Sequence, residues 1–137
     1  MNNRFRFSLY AIVALLLLGL SGCKDKNRLV EPHDGPAHIL LKETEHNFGQ
    51  LDGSASVLSH EFQLINDGNE PLVINDVENF CHCTHVEYPK EPIRPGHGVT
   101  LTFYLNVNDL SSGYFIRDVI VHTNAGNARI QVKGERL

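Results

Sequence analysis

The stretch Val99-Thr100-Leu101-Thr102-Phe103-Tyr104-Leu105-Asn106-Val107 alternates apolar and more polar side chains without a break. Successive side chains of a β-strand point to opposite faces, so every second residue here lies on one buried face. The stretch therefore predicts a half-buried strand and favours an all-β fold.

The same period of two recurs on both sides of this stretch. His60, Phe62 and Leu64 share one face of an earlier strand, and Phe115, Val119 and Val121 share one face of a later strand, where Arg117 interrupts the apolar pattern. Turn-forming sequences separate these strands: 66–69, 94–96, 111–113 and 124–127. Residues 38–137 are therefore predicted to form an antiparallel β-sandwich of about seven strands.

The N-terminal segment has the layout of an export signal. Arg4 and Arg6 precede an apolar run from Leu9 to Leu20, which is short for a membrane span of about 20 apolar residues. The run ends in Leu20-Ser21-Gly22-Cys23, which resembles the bacterial lipobox, where the cysteine thiol is acylated. We expect residues 1–22 to be a lipoprotein signal peptide and Cys23 to carry the lipid; the alternative is an uncleaved signal anchor.

Residues 23–37 are polar and contain Pro32, Gly35 and Pro36, a composition typical of a flexible tether. Such a tether would hold the domain away from a membrane while the lipid anchors it. The expected location is the cell envelope, with the protein lipid-anchored to the outer membrane on its periplasmic side or at the cell surface.

The charge of the chain argues against nucleic acid as a partner. There are 12 Lys and Arg residues against 16 Asp and Glu residues, a formal net charge of −4. Arg4 and Arg6 would leave with the signal, so the mature protein would be more acidic still. An acidic surface repels phosphate backbones.

The residues best suited to metal binding or redox chemistry are clustered in the segment Cys81-His82-Cys83-Thr84-His85. On a regular strand Cys81, Cys83 and His85 would share one face, and thiolates with imidazole suit Cu(I) or Zn(II). The two cysteines are equally compatible with a disulfide, because secreted proteins meet oxidising conditions, although a bend must bring them together. The residues leave open a metal site of Cys81, His82, Cys83 and His85, a Cys81–Cys83 disulfide, buried thiols, or a thiol–disulfide exchange centre.

Other polar residues add little to this picture. Four further histidines could complete a coordination sphere or simply bond to nearby groups: His46, His60, His97 and His122. Four acidic residues are expected at outward strand positions: Glu43, Glu45, Asp76 and Glu78. No paired carboxylates, catalytic triad or phosphate loop is evident, so no catalytic residue is assigned and no enzyme is predicted.

Several spaced motifs resemble one bacterial family. They are His46-Asn47-Phe48-Gly49, the segment from Phe62 to Leu72, Cys81-His82-Cys83-Thr84 (where the family has C-G-C-T), and Pro92-Ile93-Arg94-Pro95-Gly96. The chain resembles the domain-of-unknown-function family 1573, which is similar to the immunoglobulin-like domains of PapD, major sperm protein and the ASH modules. The resemblance implies an immunoglobulin-like sandwich and no established enzymatic activity. His82 replaces the family's glycine, so a positive-φ bend there would strain it.

The leading hypothesis is a non-enzymatic envelope lipoprotein that acts as a protein-interaction module. A sandwich offers sheet edges and loop clusters as docking surfaces for an envelope protein. The alternatives are a copper- or zinc-binding lipoprotein that uses the segment 81–85, and a thiol–disulfide protein.

Overall fold

A computed structural model of the chain describes Leu29 and residues 35–137. The predicted signal peptide, Cys23 and most of the predicted tether lie outside these residues. The described part contains eight strands: β1 Ile39–Leu41, β2 Glu45–Leu51, β3 Val57–Asn66, β4 Ile74–Asn79, β5 Thr84–Glu87, β6 Gly98–Asn106, β7 Gly113–Thr123 and β8 Gly126–Arg136. A short 3₁₀ helix, Val107–Asp109, joins β6 to the loop before β7. No helix in the described residues has the length and apolar character needed to cross a membrane.

The strands form two four-stranded sheets that pack face to face as a sandwich. The first sheet has the order β1-β3-β6-β5, and the second has the order β2-β8-β7-β4. The longest pairings join β3 to β6 and β7 to β8, so these strands occupy the centres of the two sheets. The predicted immunoglobulin-like β-sandwich is confirmed, with eight strands in the described residues where about seven were expected.

The core lies between the inner faces of these central strands. Leu101, Phe103 and Leu105 of β6 are buried, while the intervening Thr102 and Tyr104 are only partly buried. This confirms the predicted alternation for residues 101–105; Val99 is only partly buried, and the buried Val107 begins the 3₁₀ helix. The opposite sheet contributes the buried side chains Val119, Val121, Ile130 and Val132.

Strand β2 departs from the antiparallel arrangement that the sequence predicted. It pairs with β8 in parallel, with Glu45 opposite Gln131, and the register shifts between Asn47 and Gln50. Gly49 has φ +73° at this irregularity, a conformation that favours glycine. Strands β2 and β8 are far apart in sequence, so no tight hairpin fixes their relative direction.

A buried asparagine organises the loop after β3. The side-chain nitrogen of Asn66 donates to the carbonyls of Glu70 (2.7 Å) and Ile93 (2.9 Å), and its oxygen accepts from the Gly68 amide (3.1 Å). A Cβ on Gly68 would lie 1.9 Å from the carbonyl oxygen of Pro36. Pro36, one of the last residues of the predicted tether, therefore already packs against the backbone of the domain.

Candidate functional site

The segment Cys81–Cys83 forms a turn between β4 and β5, at the point where the chain passes from the second sheet to the first. The turn brings the Cα atoms of Cys81 and Cys83 to 5.1 Å, and a disulfide joins the two residues. The Thr84 amide and hydroxyl both donate to the Cys81 carbonyl, at 3.2 and 3.0 Å. The turn thus supplies the bend that a disulfide between residues two apart requires.

The turn does not gather the four predicted metal ligands. Both sulfurs are engaged in the disulfide, and Cys83 is only 2% exposed. His82 is exposed, and His85 projects from β5, where its ring stacks beside Tyr104 at 6.2 Å. Among the described residues, the group whose donor atoms could share an ion is a different one, Glu43, His46 and His60.

The strain expected at His82 is absent. No non-glycine residue in the described part of the chain has a positive φ. The turn is therefore made without the left-handed conformation that glycine would favour, so the condition under which His82 would be strained is not met.

An open cleft of about 410 Å³ lies beside the disulfide, and its lining residues are Phe80, Cys81, Ile116, Arg117 and Asp118. Phe80 is 67% exposed and Ile116 is 43% exposed. Large apolar side chains next to polar ones at such an opening are typical of a binding surface rather than of a core.

Arg117 lines the cleft without a carboxylate partner among the described residues. Its Nε donates to the Cys83 sulfur at 3.2 Å, and its Nη1 donates to the Ile116 carbonyl at 2.7 Å. Asp118 is adjacent, but it accepts hydrogen bonds from Gln131 and Arg129, which lower the pKa of its carboxyl group. The positive charge of Arg117 is therefore not neutralised by its neighbours.

Strand β7 is paired on both sides along only part of its length. Strand β8 pairs with it from Gly113 to Thr123, whereas β4 pairs only with the stretch from Val119 to Thr123. On the β4 side, no strand of the described chain pairs with Gly113–Asp118. We call this unpaired stretch, Gly113–Asp118, the β7 edge; it lies along the cleft because Ile116, Arg117 and Asp118 belong to both.

A second group of polar side chains lies at the opposite edge of the sandwich. We call it the histidine cluster: Glu43, His46 and His60. The His46 and His60 rings stack at 3.5 Å with an interplanar angle of 12°, and His60 Nε2 lies 3.1 Å from a Glu43 oxygen. The other two histidines named from the sequence lie elsewhere, His97 beside Arg94 and His122 beside Glu78.

The four acidic residues expected at outward positions are exposed, as predicted: Glu43, Glu45, Asp76 and Glu78. Glu45 pairs with Lys133 at 2.9 Å, and Glu78 contacts His122 at 3.2 Å. These pairs belong to the strand surfaces and do not converge on the cleft.

His46 should titrate below its ordinary pKa of 6.5. Burial disfavours the charged ring, His60 adds repulsion, and Glu43 only partly opposes these two effects. The unfolded chain therefore takes up this proton at a higher pH than the folded chain. The stability associated with His46 should be present above pH 6.5 and should fall as the pH drops from 6.5 through its folded pKa.

An NMR titration of the His46 ring measures this pKa directly. In His60→Gln the pKa of His46 should rise, because the repulsion from His60 is removed while the effect of burial remains. A His46 ring that titrates at or above 6.5 in the wild-type protein would contradict the prediction.

The fold defines the class of protein. Two packed sheets, with the β7–β8 hairpin at the centre of one of them, form an immunoglobulin-like β-sandwich. An ASH/PapD-like domain of human CEP192 (PapD-like domain 7) has this fold: it is 9% identical, with a TM-score of 0.62 over 85% of this chain and 98% of that domain. At this identity the likeness concerns the fold alone.

The chain belongs to the family DUF1573, described as "Protein of unknown function", whose model matches residues 39–135. A protein of unknown function from Porphyromonas gingivalis W83 is 23% identical, with a TM-score of 0.66 over 73% of this chain. The match covers 47% of the P. gingivalis chain, so this sequence corresponds to about half of that protein. No curated protein matches the sequence.

The sequence identifies the two cysteines as candidate site residues, but it does not identify the other residues that line the cleft. Phe80, Ile116 and Arg117 look like strand residues in the sequence, and their exposure depends on where β4 stops pairing with β7. The one available signal was Arg117, because a charge within an otherwise apolar face needs an opening or a partner.

Proposed function

We propose that this protein is a non-enzymatic lipoprotein of the cell envelope that binds an extended segment of another envelope protein along the β7 edge. Lipid on Cys23 anchors it to the outer membrane. The observation that carries the proposal is the stretch Gly113–Asp118, which no described strand pairs on the β4 side. Exposed apolar side chains border it, together with Arg117, which has no carboxylate partner among the described residues.

The backbone of the β7 edge suits the addition of a strand. An unpaired strand presents amide and carbonyl groups to which an extended peptide can bond, and several interaction domains use this mode. A partner segment that continues the line of β4 would complete the second sheet along Gly113–Asp118. PapD-like and ASH domains share this sandwich, and such domains are often protein-interaction modules.

The side chains around the β7 edge indicate the character of the partner segment. Phe80 and Ile116 offer apolar contact, and Arg117 offers a guanidinium that recognises carboxylates in a fork geometry. The partner segment should therefore carry an apolar side chain and an acidic one. Phe80 directly precedes the disulfide turn, whose second cysteine, Cys83, is buried in the core.

The groups that line the cleft support recognition of a partner. They are a disulfide, a guanidinium, one carboxylate already bonded to Gln131 and Arg129, and apolar side chains. Such groups can hold a partner through apolar contact, charge and hydrogen bonds.

Two independent features support the location. The sequence up to Cys23 resembles a lipoprotein signal, and a disulfide persists in oxidising compartments outside the cytosol. Both are expected of a protein that faces the periplasm or the cell surface.

Replacing Ile116 by lysine should weaken partner binding about tenfold or more, because the change removes an apolar contact and puts a charge in its place. A tenfold loss of affinity corresponds to about 1.4 kcal/mol of binding free energy. Ile116 is exposed, so the fold should remain intact. The measurement is the quantity of partner retained on immobilised protein from solubilised envelope, compared between variants at equal loading.

Val57→Lys is the matched control, because Val57 is an exposed apolar residue of β3, 55% accessible, in the other sheet. The control should retain the same proteins as wild type. Equal losses in both variants, or no loss in Ile116→Lys, would contradict docking at the β7 edge.

A further inference from the structure

The histidine cluster draws its three side chains from different parts of the fold. Glu43 lies in the loop between β1 and β2, His46 belongs to β2 of the second sheet, and His60 belongs to β3 of the first sheet. Because the two sheets face each other, His46 and His60 meet between them. The cluster lies apart from the disulfide turn and from the β7 edge.

The donor atoms of the cluster are close enough to share one ion. All three lie within 4.8 Å of one another. His60 Nε2 is 3.1 Å from one Glu43 oxygen, and His46 Nδ1 is 3.8 Å from the other. Ligands at about 2.0–2.2 Å from a tetrahedral zinc ion lie roughly 3.3–3.6 Å from one another. To share an ion, the donors must therefore move closer together, and the two nearly parallel rings must turn so that both nitrogen lone pairs point at it.

Aromatic neighbours restrict both imidazole rings. Phe48 packs edge-on against His46 at 4.6 Å, and Phe62 packs edge-on against His60 at 4.8 Å. Both histidines are only partly buried and Glu43 is exposed, so an ion can enter from solvent. Each ring thus has one aromatic neighbour, while the donor atoms remain accessible to an ion.

We propose that Glu43, His46 and His60 form a binding site for a divalent ion of the zinc type. Two imidazoles and one carboxylate are the ligand types that such ions prefer, and three protein ligands leave a position for water or for a ligand from a partner.

The bound ion would cross-link the two sheets at one edge of the sandwich. It would join the β1–β2 loop to both sheets, and because the unfolded chain does not bring these residues together, binding would stabilise the fold. This site differs from the metal site first predicted at residues 81–85 and does not depend on the proposed docking at the β7 edge.

The test is zinc titration of the metal-stripped protein, followed by calorimetry and by NMR of the histidine rings. We expect one zinc ion per chain, a higher unfolding temperature, and shifts of the His46 and His60 ring resonances. Magnesium at the same concentration should produce none of these, since it prefers oxygen ligands. His60→Gln should weaken zinc binding by at least about 10–100-fold.

Two variants serve as controls. His122→Gln removes a histidine that contacts a single carboxylate, Glu78 at 3.2 Å, and should leave zinc affinity unchanged. Cys81→Ser/Cys83→Ser should also leave it unchanged. The proposal would be overturned if the wild-type protein took up no zinc, or if zinc binding shifted neither the His46 nor the His60 ring resonances. Undiminished zinc binding by folded His60→Gln would also overturn it. If His60→Gln does not fold, the ring resonances of the wild-type protein decide between these outcomes.

Discussion

Replacing Phe103 by alanine should destabilise the domain by about 3–5 kcal/mol, the cost of a large cavity in a packed core. Phe103 is 1% exposed at the centre of β6, where it lies opposite His60 of β3 and Val86 of β5. The surrounding strands are fixed by their ladders and cannot close over the lost ring. Denaturant unfolding monitored by circular dichroism gives the change in the free energy of unfolding.

The neighbouring Thr102→Ala is the control for Phe103→Ala. Thr102 lies on the outer face of the same strand and should change the free energy of unfolding by only about 0.5 kcal/mol. A loss below about 1 kcal/mol for Phe103→Ala would show that the inner face of β6 does not form the core.

Replacing Cys23 by serine should abolish lipid attachment and release the protein from the membrane fraction. Acylation needs the thiol, and without acyl chains the acidic protein has no attraction to an anionic bilayer. Palmitate labelling and fractionation of cells measure both effects. The domain should stay folded, because every strand of the sandwich lies within residues 39–136.

Cys81→Ser/Cys83→Ser tests whether the labelling is specific to Cys23. This variant should keep both its label and its membrane association. Label retained in Cys23→Ser, or lost in the double variant while the protein is still exported, would contradict lipidation at Cys23.

The strands could be predicted because their side chains alternate between a core and a less buried face. The sequence of residues 99–107 follows this pattern, and of the β6 residues that it places inside, Leu101, Phe103 and Leu105 are buried and Val99 is partly buried. The parallel pairing of β2 with β8 could not be predicted in this way. The period of two fixes the faces of a strand but not its neighbour or its direction.

The candidate site was only partly predictable for a related reason. Cys81 and Cys83 are conspicuous residue types at a conspicuous spacing, so the sequence alone marks them. The β7 edge exists because β4 ends at Asn79, opposite Val119, and leaves the rest of β7 unpaired on that side. The contact between His46 and His60 likewise results from the packing of two sheets, which local sequence does not encode.

Site-specific photo-cross-linking in living cells tests docking at the β7 edge most directly. A photoreactive residue at position 116 should cross-link to one envelope protein through an extended segment of that protein, and the same residue at position 57 should not. Identical cross-links from both positions, or none from position 116 in the lipidated, exported protein, would contradict recognition at this edge.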